Sequence, residues 1–289
     1  EDELLKYKPE IIIAHSYRHP HTLKALKLAR KINAKVFLVT HAPFIQDNST
    51  RTFIQKIIVS LFDIFIGKKT INNYDKIITI TPWELEFLKK LGLKQENTVC
   101  IPNGIPKEFF TQKTSKQENK ILFLGRISPI KDLTTLINAF SDLKKEMILE
   151  IVGPTEKQYL EELRKLVVSK NLTKKVMFSE PIFDLKDKIK KIDSCKIFVL
   201  PSKREGMPQS LVEAMAREKI VIASDNPGAK DLIIDNKNGF LFEIGNKEQL
   251  VIAINKALNQ KDREIQKQAK KSVEKFSWDN LITKLERLF

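Results

Sequence analysis

The stretch KIFVLPSKREGMPQSLVEAMA, residues 196–216, decides the fold. KIFVL (196–200) is short and apolar without alternation, as a strand covered on both faces must be. The segment from Pro208 onward has helical character, and the turn between strand and helix holds Glu205 and Gly206. Glu213 follows eight residues after Glu205, within the helix. Gly206 allows backbone to come close to a ligand. Pro208 suits the first helical position, where a missing N–H costs nothing. A helix beginning there aims free N–H groups and the positive end of its dipole at whatever occupies the turn. Glu213 sits among Leu211, Val212, Ala214, Met215 and Ala216, and a charge in such surroundings is costly unless it has a partner.

Outward from this unit, the same alternation runs through the chain. Strands are expected at 10–14, 35–40, 75–80, 97–101, 120–124, 147–152, 175–178, 196–200, 219–223 and 239–242. Helices are expected at 21–33, 51–68, 82–91, 131–145, 156–170 and 247–258. That pattern implies βαβ units and parallel sheets with helices on both faces. A chain of 289 residues accommodates two domains of about 150 residues each. The polar run TQKTSKQEN (111–119), just after the turn signal IPNGIP (101–106), marks the boundary. Six strands follow it and four precede it, so the N-terminal unit is expected to lack its opening strands.

A net charge of +15 is compatible with a solvated Lys-rich surface or with attraction to anions: nucleoside diphosphates, anionic headgroups or nucleic acid. Cys100 and Cys195 lie in apolar runs and read as buried thiols of a reducing compartment, with no metal-ligand spacing around them. No signal peptide is evident in the opening EDELLKYKPE. The longest apolar stretch, FIQKIIVSLFDIFI (53–66), is interrupted by Gln55, Lys56, Ser60 and Asp63. It is shorter than the roughly 20 residues a membrane span requires. With Arg51 before it and Lys68 and Lys69 after it, it reads either as an amphipathic core helix or as a helix lying on an anionic membrane.

A second constellation is LGRISPIKDLTTLINAF (124–140). Gly125 permits a tight exit from a strand. Arg126 and Lys131 flank a helix expected to start near Lys131 or Asp132. Two cations beside a helix N-terminus suit a diphosphate, which Arg can grip bidentately. Combined with Glu205 and Glu213 as acceptors from hydroxyls, this matches the groups of a nucleotide sugar. Among the four histidines, His15 and His41 end strands. Open α/β sheets bind ligands beyond the carboxyl ends of their strands. His19 and His21, in YRHPH, read as loop or cap residues. No G-x-G-x-x-G opens a βαβ unit, and GKKT (67–70) has Phe62 where the leading Gly of a P-loop belongs. There is no nucleophile elbow and no Asp-x-Asp clamp, so a transfer with cations in place of a metal is favoured, without a cofactor.

These motifs resemble the retaining glycosyltransferases of family 4. The likeness rests on the E-x7-E run (205–213), the G-R-x-x-x-x-K run (125–131), the PNG linker (102–104) and the closing FSWDNLITKLERLF (276–289). The resemblance implies an α/β GT-B fold, two Rossmann-like domains with parallel sheets facing across a cleft. The N-terminal domain is expected to be incomplete, without the family's additional strands and Gly-rich acceptor-side loop. The implied domains are 1–106 on the acceptor side, 107–275 for the nucleotide sugar, and a terminal helix, 276–289, crossing back. It implies that Arg126 and Lys131 grip the donor diphosphate beside Gly125. Glu205, with the amides around Gly206, Met207 and Pro208, would face the sugar, and Glu213 the ribose. His15 would stand near the transferred sugar. Gly153 and the loop Ser179, Glu180, Pro181, Ile182 would line the base pocket.

The expected reaction is metal-independent hexosyl transfer from a UDP or GDP sugar to an acceptor hydroxyl, with retention. The acceptor would be a saccharide or lipid-linked molecule. The enzyme would be cytoplasmic, with peripheral contact to the inner membrane face through 51–69 and no nucleic-acid partner. The alternatives are another GT-B enzyme, a nucleotide-sugar epimerase or phosphorylase, or a non-catalytic basic protein that binds nucleic acid or membrane.

Overall fold

Among the described residues, ten short strands form two separate all-parallel sheets. The computed structural model describes residues 2–42, 52–111, 115–260 and 262–288. The chain divides into two units, Glu1–Asn103 with Leu281–Phe289, and Gly104–Asn280.

In the first unit β1 (Ile11–His15), β2 (Lys35–Val39), β3 (Lys76–Thr79) and β4 (Thr98–Cys100) pair in chain order, β1-β2-β3-β4. Helix Pro20–Ile32 connects β1 to β2. It begins at a proline and ends where Asn33 adopts a left-handed conformation (φ 59°), the usual stop for a helix. Leu26, Leu28 and Ala29 on its inner face pack with Ile12, Leu38 and Ile77. The edge strands β1 and β4 are less covered than β2 and β3.

The second unit holds β5 (Lys120–Leu124), β6 (Ile148–Val152), β7 (Val176–Ser179), β8 (Ile197–Leu200), β9 (Ile220–Ser224) and β10 (Phe240–Phe242). Their order is β10-β9-β8-β5-β6-β7. From β5 the chain builds outward through β6 and β7, then returns to place β8 on β5's other edge and builds the opposite way. The β5/β8 boundary is therefore the topological switch point. Every residue of β8 and β9 is buried, which is why their sequences show no polar alternation. Two ion pairs join helix Leu185–Ser194 to the segment Gln209–Arg217. Arg217 grips the Asp193 carboxylate through two nitrogens, at 2.8 and 2.6 Å, with both side chains fully buried. Lys188 meets Glu213.

Strand positions agree with the sequence reading to within about one residue at most ends, because unbroken apolar runs leave little choice of register. Three local expectations are corrected. Pro208 is the residue before the helix (φ −76°, ψ 96°), which runs Gln209–Ala216; Pro208 keeps extended backbone and Gln209 starts the turn. Residues Pro129–Lys131 form a separate 3₁₀ turn and Asp132 is left-handed (φ 47°), so the helix starts at Leu133. The apolar stretch after Thr52 is not a core helix. Phe53–Phe62 is α-helical, Asp63–Gly67 is a π-helical turn and Lys68–Thr70 is helical again. None of the side chains of Phe53–Phe62 is buried. Cys195 is buried as expected, whereas Cys100 is half-buried. Arg51, and residues 112–114 of the polar run, lie outside the described residues.

Candidate functional site

At the switch point two loops leave the carboxyl ends of β5 and β8, and open α/β sheets bind ligands in that crevice. The β5 loop carries Gly125, Arg126 and Lys131; the β8 loop carries Glu205, Gly206 and Met207. Backbone hydrogen bonds fix their positions. Gly125 N–H donates to Val152 O (3.0 Å), Ile127 N–H to Pro154 O (2.8 Å) and Lys203 N–H to Ile130 O (2.9 Å). Gly153 is obligatory: its φ is +145°, and a Cβ there would stand 2.0 Å from Gly125 O. Behind the other loop, a Cβ on Gly228 would meet Gly206 O at 2.3 Å, and Asn226 Nδ2 donates to Ser202 O (3.0 Å).

This scaffold brings Lys131 and Glu205 together across the crevice, Nζ to Oε1 at 2.6 Å, with side chains 19% and 11% exposed. Arg126 is exposed on the same loop as Lys131. Glu213, one turn into the helix after β8, is buried and meets Lys188 at 2.5 Å through Oε1. Among the described residues its Oε2 has no hydrogen-bond partner. Burial pushes the Glu213 carboxyl above its ordinary range, and Lys188 opposes this without cancelling it. Ser128 Oγ and Ser202 Oγ, on the same two loops, are also buried without partners among the described residues. Buried polar atoms left unpaired are rare, and each calls for a partner that the surrounding side chains do not supply.

The remaining predicted residues are placed as follows. Gly153 adjoins Gly125. Pro208 is buried, and Met207 packs half-buried on the core. Ser179, at the end of β7, is separated from β5 by β6; its hydroxyl donates to Glu150 (2.9 Å). Pro181 and Ile182 follow, half-buried.

The first unit has its own cluster at the carboxyl ends of β1 and β2. His15 Nδ1 and His41 Nε2 are 2.8 Å apart, and His21 Nε2 contacts His15 O at 2.7 Å. Burial, then the neighbouring His15, holds the His41 imidazole below its ordinary pKa. Ser16, Arg18, His41 and Ala42 all have positive φ, between 50° and 73°. Such strain in non-glycine residues persists only where surroundings enforce it, and it clusters at functional sites. Part of that enforcement is Glu84, fully buried, which accepts from Thr40 Oγ1 (2.5 Å), Ala42 N–H (2.8 Å), Ile80 N–H (2.8 Å) and Thr81 N–H (3.1 Å). Burial raises its pKa despite these donors.

Sequence reasoning missed Lys188 and Glu84. Thr81-Pro-Trp-Glu84 has the T-x-x-E spacing of a helix start and could have flagged Glu84. Nothing local identifies Lys188, since its partner is set by helix packing.

Residues 104–276 match the family described as Glycosyl transferases group 1, and residues 2–109 match Glycosyltransferase Family 4. An uncharacterized glycosyltransferase of Methanocaldococcus jannaschii is 27% identical over 227 residues, 78% of this chain and 62% of that protein. The N-acetylgalactosamine-N,N'-diacetylbacillosaminyl-diphospho-undecaprenol 4-alpha-N-acetylgalactosaminyltransferase of Campylobacter jejuni is 26% identical over 234 residues, 77% of this chain and 60% of that protein. The chain thus spans about three fifths of the length of these relatives. Among solved structures, Anabaena HepE in complex with UDP and glucose superposes with a TM-score of 0.80 at 20% identity, over 99% of this chain and 80% of that one. The chain belongs to the group 1 glycosyl transferases, the family 4 glycosyltransferases of GT-B fold.

Proposed function

We propose that this protein transfers a hexosyl group from a nucleoside-diphosphate sugar to an acceptor hydroxyl, with retention of configuration and without a metal ion. One observation carries the reading: two loops at the switch point of the second sheet bring a lysine and a carboxylate together, with an exposed arginine on the lysine's loop, where a pyrophosphate-linked sugar has complementary groups. Arg126 and Lys131 hold the diphosphate. Glu205, with the amides of Gly206 and Met207, orients the sugar. The unpaired Oε2 of Glu213 accepts from a ribose hydroxyl, and Gly153 with Ser179, Pro181 and Ile182 lines the base. The UDP bound by HepE favours a uridine or similar base in this chain. The undecaprenol-linked acceptor named for the Campylobacter relative favours a lipid-linked saccharide here. A cytoplasmic setting fits two cysteines that form no disulfide.

As the glycosidic bond breaks, negative charge builds on the leaving phosphate oxygens and the anomeric carbon becomes oxocarbenium-like. Lys131 and Arg126 stabilise that charge from fixed positions. The acceptor hydroxyl attacks from the face the phosphate leaves, and the departing phosphate takes the hydroxyl proton, so the product keeps its configuration. Glu205 serves as an orienting acceptor, not a nucleophile. His15, held by His41, is the catalytic candidate of the first unit.

The test is calorimetric titration with UDP, GDP and ADP in the presence of a chelator, followed by NMR of the anomeric proton of any product. Binding of one diphosphate that Lys131→Ala weakens supports the reading. Equal indifference to all three, in wild type and variant, refutes it.

A further inference from the structure

We propose that residues 53–69 form a docking surface for an anionic lipid bilayer, lying on the membrane and bringing the β1/β2 end of the first unit to it. Seven large apolar side chains are exposed within this short segment: Phe53, Ile54, Ile57, Ile58, Leu61, Ile64 and Phe65, with Phe53 at 76% and Phe65 at 61%. Residues 54, 57, 58, 61, 64 and 65 follow the spacing that places side chains along one helical face. A contiguous apolar surface of this kind marks an interaction site.

Charge selects the occupant. Lys56, Lys68 and Lys69 are exposed on the same segment. Its one acid, Asp63, is bound by Arg18 at 2.8 and 2.5 Å and by Tyr17 OH at 3.2 Å. The surface is therefore apolar with cationic flanks, the combination that binds an anionic headgroup layer. Among the described residues no helix is long and apolar enough to cross a membrane, so the segment lies in the interface.

The anchoring gives the surface a direction. The Asp63 partners, Tyr17 and Arg18, follow His15 by two and three residues. Gly67 packs so closely on Tyr17 that a Cβ there would stand 2.3 Å from the hydroxyl. A bilayer under residues 53–69 is thus tied to the strand end that carries His15 and His41, and the acceptor class this favours is one whose saccharide stands on a lipid. The docking itself does not depend on the proposed transferase activity.

Vesicle co-sedimentation tests it, using phosphatidylcholine vesicles with and without phosphatidylglycerol, at low and high salt. The expected result is binding to the anionic vesicles, weakened by salt. Ile54→Glu/Ile58→Glu and Lys68→Glu/Lys69→Glu should each reduce it by about tenfold or more. Ile252→Glu, an exposed apolar residue of the second unit, should leave it unchanged. Circular dichroism and the UDP response of each variant report folding and the donor site separately. The proposal is overturned if wild type ignores anionic vesicles, if the Ile54→Glu/Ile58→Glu protein still binds them, or if that variant instead abolishes a concentration-dependent dimer.

Discussion

Glu205→Gln should tighten binding of a free nucleoside diphosphate while lowering turnover of its sugar. Lys131 is held by Glu205 at 2.6 Å, with both side chains mostly covered. A diphosphate must share or displace that contact, and it meets the Glu205 charge as it does so. A charge-assisted hydrogen bond contributes about 1.5–3 kcal/mol, so Lys131→Ala should weaken UDP binding roughly 10- to 150-fold. Glu205→Gln removes the competitor and a like charge close to the phosphates. On the order of 1 kcal/mol is recovered in such partly screened surroundings, or about fivefold tighter UDP. The same substitution removes the acceptor proposed for the sugar hydroxyls, so kcat/KM for the nucleotide sugar should fall. Calorimetric titration of the wild type, both single variants and the double variant closes the cycle. If Glu205→Gln weakens UDP as much as Lys131→Ala does, the carboxylate is part of the diphosphate cradle and the division of roles is wrong.

Four further outcomes follow from the geometry. Gly153→Ala should abolish UDP binding, because its Cβ would overlap Gly125 O at 2.0 Å; a bound, stable variant would refute the tight loop packing. Glu213 has a folded-state pKa above its ordinary 4.5, so its contribution is full below that value and lost as pH rises through the raised one. Glu213→Gln should therefore flatten the fall in melting temperature over that window. His41 is shifted downward from 6.5, so its contribution is present above pH 6.5 and lost as pH falls through the folded value; His41→Asn should remove that acid-side loss, read as melting temperature against pH. Glu84→Ala should cost about 2–4 kcal/mol by leaving several buried donors unpaired, measured by urea unfolding, and no loss would show that His41 is held by other means.

The sheets were legible because most strands are short, largely apolar runs between turns. KIFVL and KIVIA leave no exposed face to choose, and their parallel pairing follows from the helices between them. That Lys131 and Glu205 come together was legible for a related reason: they sit in the two loops after β5 and β8, which the strand order makes neighbours. Contacts between helices were not legible. That Lys188 meets Glu213 depends on how Leu185–Ser194 and Gln209–Ala216 pack, which no spacing within either helix encodes. The fate of residues 53–66 was ambiguous because the same apolar period serves a core and an interface. What decides is whether any neighbour covers the helix, and only a three-dimensional arrangement holds that information.

On the proposed donor site, the strand order also sets when a nucleotide can first be engaged. Lys131 and Glu205 are 74 residues apart in the chain, and the loop between them must close before β8 can settle against β5. During synthesis, then, a chain that has emerged only through β7 has a cationic loop with nothing opposite it. Its affinity for donor should switch on in one step as the segment after Leu200 leaves the ribosome, which would make nucleotide binding a sensitive gauge of completed topology in this half of the molecule.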